Sequence, residues 1–301
     1  VDVVASGEGE ETLLEVVRCM RDGSSLEKVL GIAYRDGETI RRNPPRPRIR
    51  DLGKIPYPAY EHVDMREYSR GAAADHIPLG VLSARGCPYA CTFCDIPGVW
   101  GGCTVSRSVT DVVAEVELLK AEFAIPRLHI VDDTFVLSKD RVLEFCRCLE
   151  ERALDLPWSC FGRVDLMDRE ILEALASANC ERVFYGIESG SDLMLERIDK
   201  RFTIERAFSV VRQTLDYMQA DVSSIWGFPF EQLEDFYDTI IALLDMQQMG
   251  AESRLNMLAP LPSAEMSRTF VKQIMPLRGR EVGWASAMSD NLTFAGSLAR
   301  K

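Results

Sequence analysis

From about residue 79 onward, short apolar runs rich in β-branched and aromatic residues alternate with longer stretches whose apolar positions recur every three or four residues. The runs at 79–83, 127–131, 158–162, 182–187, 221–226 and 255–259 read as strands. The stretches near 110–123, 138–152, 168–178, 203–218 and 232–248 read as helices. In the second of these, Val142, Phe145, Cys146 and Leu149 keep the i, i+3, i+4, i+7 spacing of a buried helical face. Thr110 and Asp168 stand where N-caps belong. The repeat of roughly 30 residues is the size of a strand–helix–strand unit. Strict alternation implies a parallel α/β sheet with right-handed crossovers. Six such units make either an open doubly wound sheet or a partly closed barrel, and both place chemistry at the C-terminal ends of the strands.

Upstream the pattern is different. A strand at 1–5 is followed by a turn with Gly7 and Gly9, then by a helical run in which Leu13, Leu14, Val17 and Met20 keep helical spacing. One strand and one helix cannot enclose a core, so this unit reads as a fragment or as packing on something else. The absence of an initial Met fits a missing upstream portion. The polar, proline-containing stretch RRNPPRPR at 41–48 reads as a linker or an extended connector.

Composition narrows the function classes. The chain has 301 residues, with 35 basic against 47 acidic and a formal charge of −12. Nucleic-acid binding without sequence preference needs a surplus of the other sign, so no nucleic-acid partner is expected. No apolar run approaches the 18 or so residues of a membrane span, and the first residues lack the basic start of a secretory signal. A cytoplasmic protein without a membrane partner is therefore expected. Nine cysteines, an odd number, do not suit a disulfide scaffold. Three of them, Cys87, Cys91 and Cys94, crowd into eight residues.

The expected strand ends carry a selective set of residues. The first is followed by RGCPYACTFC (85–94), the second by Asp132-Asp133-Thr134-Phe135, and the third by Arg163-Val164-Asp165. The fourth ends in Gly186-Ile187-Glu188-Ser189-Gly190 and the fifth leads into Gly227-Phe228-Pro229-Phe230-Glu231. The spacing C-x3-C-x2-C suits three corners of an iron–sulfur cubane, leaving the fourth iron open, much as an open position marks a catalytic zinc. A zinc knuckle is the alternative, and Cys103 would have to complete it. Gly101 and Gly102 before it look instead like a flexible turn, and Cys103 reads as a spare buried cysteine.

CPYACTFC resembles the signature of the radical S-adenosylmethionine (radical SAM) superfamily, with an aromatic before the last cysteine. HIVDDTF (129–135) and the stretch from FGRVDLMDRE to GIESGSDLMLERIDK (161–200) are similar to the branch that carries an N-terminal cobalamin-binding domain. DVVASGEGEETLLEVV (2–17) resembles the end of that domain, and DLGKIPYPAY (51–60) the connector after it. The resemblance implies a partial (βα)6 TIM-like barrel, the radical SAM core, over 76–270. It assigns 1–40 to the end of the cobalamin-binding-like domain, 41–75 to the connector and 271–301 to a C-terminal extension.

By the same resemblance Cys87, Cys91 and Cys94 ligate a [4Fe-4S] cluster, and S-adenosylmethionine chelates the remaining iron. Phe93 sits by the adenine. Asp132 or Asp133 meets the methionine amino group, Arg163 the carboxylate end, and Glu188 and Ser189 the ribose hydroxyls. Each has a plainer alternative: an aspartate capping a helix, Arg163 and Asp165 as a structural rim pair, Glu188 holding a turn, Phe93 as core. Two departures stand out. Phe230 replaces the glycine that the family commonly has before Glu231, and the usual cobalamin lower-ligand pattern, Asp-x-His-x-x-Gly, does not occur.

The implied function is reductive cleavage of S-adenosylmethionine to a 5′-deoxyadenosyl radical that abstracts a substrate hydrogen, for cobalamin-dependent C-methylation. A cobalamin-independent epimerase or cyclase, acting on a peptide or small molecule, is the alternative enzyme. A non-catalytic iron–sulfur or zinc module is the alternative of another class. An external flavodoxin- or ferredoxin-like electron donor is the expected partner.

Overall fold

The computed structural model describes residues 1–64 and 79–270. The expected start of the core at 76, the end of the connector and the extension at 271–301 lie outside these residues. The chain divides into two compact units, of which the first is Val1–Tyr57.

In the first unit, β1 (Val3–Ala5) is followed by α1 (Glu10–Asp22), β2 (Ile32–Asp36) and β3 (Thr39–Arg42). The strands form an antiparallel sheet in the order β1-β2-β3. The β2–β3 hairpin turns through Gly37-Glu38, where Gly37 has φ 61°, the left-handed backbone that favours glycine at the first central position of a two-residue turn. Val16, Val29, Ile32 and Tyr34 make its small core. Leu13, Leu14, Val17 and Met20, the stripe read from the sequence, are exposed, while Thr12 and Val16 face inward. The stretch 41–48, expected as a linker or extended connector, belongs to this unit. Arg41 and Arg42 are in β3, Asn43 Nδ2 donates to the carbonyls of Leu26 and Val29 at 2.7 Å, and Arg46 is paired with Glu11 and Glu15. The unit thus extends past the boundary expected at residue 40.

The second unit follows the expected alternation. In chain order it contains β4 (Leu79–Val81), β5 (Ala84–Arg85), α2 (Ile96–Trp100), β6 (Val105–Ser106), α3 (Val109–Phe123) and β7 (Leu128–Ile130). Next come α4 (Lys139–Glu151), β8 (Trp158–Gly162), α5 (Arg169–Ser177), β9 (Cys180–Glu188), α6 (Asp192–Arg197) and α7 (Ile204–Leu215). The last elements are β10 (Gln219–Trp226), α8 (Leu233–Gln248), β11 (Glu252–Met257) and α9 (Glu265–Thr269). Six strands form one parallel sheet in the order β4-β7-β8-β9-β10-β11, the order of the chain. This is the partial TIM-like barrel expected, with β4 and β11 at its edges.

Strand alternation separates the two faces of the sheet. Trp158 and Tyr185 point toward the helices: Trp158 packs edge-on against Phe145 of α4 at 5.2 Å, and the Tyr185 hydroxyl meets Thr214 of α7 at 2.9 Å. On the other face His129 Nδ1 meets Ser159 Oγ at 2.8 Å, and Phe161 bridges the rings of His129 and Phe184. All four apolar residues read as the buried face of α4 are buried. Asp168 caps α5 by accepting from Ile171 N at 2.9 Å. The cap of α3 is Ser108, which accepts from Asp111 N, and not Thr110, which lies inside the first turn. Tyr60 donates to the buried Glu115 of α3 at 2.6 Å, so the connector tyrosine is a packing residue. Among the described residues no helix is long and apolar enough to cross a membrane.

Phe145, 1% exposed, sits between Phe135 and Trp158 at ring distances of 5.3 and 5.2 Å. Phe145→Ala leaves a cavity between α4 and the sheet and is expected to cost about 3–5 kcal/mol. Urea denaturation followed by circular dichroism measures it, and a loss well under that range contradicts this packing.

Candidate active site

The end of β4 is fastened to the end of β7 by Asp132. Its carboxylate, 2% exposed, accepts from the Ser83 and Ala84 backbone N–H groups at 2.7 and 2.9 Å and from the Ser83 hydroxyl at 2.5 Å. Burial holds this carboxyl above the usual range, while the hydrogen bonds favour the ionised form. The next residue turns the other way: Asp133 Oδ2 accepts from Gly86 N at 2.8 Å, and burial also raises its carboxyl, with Asp95 adding to the effect.

Between these anchors the cysteine loop leaves and returns through the antiparallel β5–β6 ribbon. Gly86 closes the pinch with φ 96°, and a Cβ there would lie 2.3 Å from the carbonyl oxygen of Cys103, so only glycine fits. Gly101 and Gly102, with φ 68° and 65°, make the turn expected before Cys103. They carry Cys103 outward, and it is exposed rather than buried.

Within the loop, Cys87 Sγ lies 3.7 Å from Thr134 Oγ1. Cys91 Sγ donates to the Asp199 carbonyl at 3.6 Å and accepts from Arg163 Nη1 at 3.8 Å. Burial pushes the Cys94 thiol up to about 11, with Cys91 and Cys87 adding to the shift. Among the described residues no three His, Cys, Asp or Glu side chains converge as ligands of a single ion. A cubane spreads its thiolates over separate irons, and a donor set of three thiols on one short loop suits it.

A turn at 198–201, missed in the sequence reading, grips this loop from the β9 side. Ile198 O accepts from Thr92 N at 3.2 Å, and Lys200 O accepts from Arg163 Nη2 at 2.8 Å. Asp199 and Arg201 hold φ values of 56° and 61°, left-handed backbone that costs a non-glycine residue about 1 kcal/mol or more. The Lys200 ammonium meets Glu188 Oε1 at 3.1 Å, both side chains being at most 10% exposed, and lies 5.9 Å from the Phe93 ring. Its trace in the sequence is a charged run, 199–201, just before the Thr203 cap of α7, which reads as a solvated turn.

Arg163, expected at the carboxylate end, is held by partners within the protein. Its fork is spent on Asp165 at 3.0 and 3.1 Å, on Lys200 O and on Cys91, and its plane lies 3.6 Å from the Tyr89 ring centroid. Glu188 does hold a turn, at φ 71°, yet stays at the strand end beside Lys200. Ser189 has 0% exposure, and its hydroxyl pairs with Thr239 Oγ1 at 3.0 Å. A residue with no accessible surface cannot contact ribose hydroxyls in this arrangement, so Ser189 supports the strand end.

Phe93 lines a small apolar cleft of about 40 Å3 beyond the ends of β10 and β11, together with Pro229, Leu258, Pro260, Met266 and Phe270. It packs edge-on against Phe228 at 6.0 Å. Phe230 stacks on Phe228 at 6.1 Å and touches Phe270 at 5.9 Å, so the bulky departure from the family pattern joins an aromatic row.

The family pattern of the radical SAM superfamily matches residues 81–243, from β4 into α8. This chain belongs to that superfamily. A radical SAM core brings a [4Fe-4S] cluster and S-adenosylmethionine as cofactors. The chain is 34% identical to an uncharacterised methyltransferase of Pyrococcus horikoshii, covering 80% of this chain and 52% of that protein. It is 32% identical to cytidylyl-2-hydroxyethylphosphonate methyltransferase of Streptomyces wedmorensis, covering 70% and 45%. To the anaerobic magnesium-protoporphyrin IX monomethyl ester cyclase of Cereibacter sphaeroides it is 29% identical, covering 82% and 41%. The chain thus spans about half the length of these relatives.

Among solved structures, the radical SAM methyltransferase TsrM of Kitasatospora setae, with cobalamin and a [4Fe-4S] cluster bound, superposes with a TM-score of 0.73 at 21% identity, covering 92% of this chain and 55% of that one. The cobalamin-dependent radical enzyme OxsB superposes with a TM-score of 0.72 at 20% identity, covering 91% and 46%. Both likenesses are of fold.

Lys200→Met strands the Glu188 carboxylate in a buried site and is expected to destabilise the radical SAM core by about 3–5 kcal/mol, the usual cost of breaking a buried pair. Removing both charges in Lys200→Met/Glu188→Leu recovers most of that loss. Denaturation midpoints of the two variants test it; equal losses contradict the pairing.

Proposed function

We propose that this chain is the catalytic core of a radical SAM methyltransferase that methylates carbon, with cobalamin as the methyl carrier in the whole protein. The observation that carries the reading is the cysteine loop fixed at the strand ends beside Asp133, Glu188–Lys200 and Phe93. The identity to two methyltransferases across at least 70% of the chain supports the type of reaction. The first unit supports the carrier only through its likeness, in 2–17, to the end of a cobalamin-binding domain.

Cys87, Cys91 and Cys94 would hold three irons and leave the fourth to S-adenosylmethionine. When bound, cluster and cofactor supply a 5′-deoxyadenosyl radical that takes a hydrogen from the substrate. The chain's own residues bind, orient and keep water out. Asp133 faces the methionine amino group, because Asp132 is spent on tying strands and Asp133 gives only one oxygen to Gly86. Glu188, steadied by Lys200, offers its remaining oxygen to ribose hydroxyls. Phe93 and the apolar cleft behind it take the adenine side and exclude water there. A flavodoxin- or ferredoxin-like donor delivers the electron, and the substrate is a small molecule or a peptide.

Two measurements test this. Cys91→Ala is expected to lose the brown absorbance of the reconstituted protein and to drop deoxyadenosine formation to background, with the far-ultraviolet spectrum unchanged. Cleavage that persists without iron defeats the cluster reading. Mass spectrometry after anaerobic incubation of the whole protein with S-adenosylmethionine and reductant is expected to find a product heavier by one methyl group. An isomerised or cyclised product without that gain overturns methylation.

A further inference from the structure

Arg163 spends its hydrogen bonds within the protein, and one of them reaches the cysteine loop. Its side chain is 7% exposed, and the guanidinium is fixed from three sides: Asp165 takes a two-pronged hydrogen bond, Lys200 O takes a third, and Tyr89 covers one face. Tyr89 belongs to the cysteine loop, between Cys87 and Cys91. The remaining arm, Nη1, points at Cys91 Sγ from 3.8 Å, and Cys91 itself is buried. From this we infer that Arg163 raises the reduction potential of the cluster by donating a hydrogen bond to the Cys91 sulfur; the inference rests on the reading of Cys91 as an iron ligand.

The chemistry follows from the two partners of that sulfur. As a thiol, Cys91 gives its hydrogen to the Asp199 carbonyl and accepts from Arg163. Ligation to iron removes the S–H, so the carbonyl loses its donor and Arg163 is left facing a thiolate. Reduction adds one electron, and part of that charge falls on the ligating sulfurs. A positive N–H aimed at one of them stabilises the reduced state more than the oxidised one, and hydrogen bonds to sulfur are a recognised control of cluster potential. Low dielectric strengthens the effect, because little water reaches Arg163 or Cys91. Asp165 makes the arginine pair neutral overall, which lets it stay buried while its donor end still points at the sulfur. Arg163 is thus a positioning residue that acts through Cys91.

The test is a potentiometric titration of the anaerobically reconstituted chain, with the paramagnetic signal of the reduced cluster as the readout. Arg163→Met is expected to shift the midpoint to a more negative potential, and Arg163→Lys, which keeps the charge but loses the fork, to fall between that and the unsubstituted chain. A merely structural arginine would lower iron content without moving the midpoint of the clusters that remain. Unshifted midpoints in both variants overturn the inference while the cluster reading stands. If Arg163→Met holds no iron, an unshifted midpoint in Arg163→Lys overturns it alone. An unsubstituted chain that binds no iron overturns both readings.

Discussion

A carboxylate with almost no access to water sets the geometry of this site. Asp132 would cost several kcal/mol if buried without partners. With three donors from Ser83 and Ala84 it becomes instead the fastening between neighbouring strand ends. The cysteine loop departs two residues later, so its starting point and direction are fixed before any cofactor arrives. Asp133, on the other side of the chain, takes Gly86 N and fixes the last backbone amide before Cys87. Two adjacent aspartates that read as one feature therefore do different work, because successive residues in extended chain face opposite ways.

The far side of the loop is held at a cost. Asp199 and Arg201 adopt left-handed backbone, and Glu188 does the same at the end of β9. These strained residues lie around Lys200, whose carbonyl and ammonium both serve the site: one takes Arg163, the other Glu188. Strain clustered beside the expected cofactor position is the pattern of a rigid binding rim, where the surrounding packing over-determines the backbone. The core of Met194, Leu195, Ile198, Phe228 and Met266 supplies that packing, with Phe93 against it.

The sheet and its helices were legible because burial on two faces leaves periods of 2 and 3.6 in the sequence. Val142, Phe145, Cys146 and Leu149 show this directly. The three cysteines, the paired aspartates and Glu188 were legible because they follow strand ends. What escaped depends on distant partners. Nothing near Arg163 says that its fork will reach a carbonyl 37 residues away, or that Ser189 will turn to Thr239 across 50. In the first unit, α1 is apolar on two adjoining stripes, and spacing alone does not tell which one meets the sheet. The β2–β3 hairpin turns on a single glycine, Gly37, and the charged residues around it hid the strands.

The relatives bear on where specificity resides. Those named as methyltransferases and the one named as a cyclase share with this chain a stretch of comparable extent, at 29–34% identity. A core common to proteins named for different reactions supplies what those reactions have in common, which is the place to hold cluster and cofactor. The difference must then come from groups on the substrate side and from parts of the longer proteins outside the shared stretch. Within this chain Phe230, the residue that departs from the family pattern, stacks on the buried Phe228 and touches Phe270. Phe228 packs in turn against Phe93 of the cysteine loop, so this departure is built into the packing behind the loop and not into its polar anchors at Asp132 and Asp133.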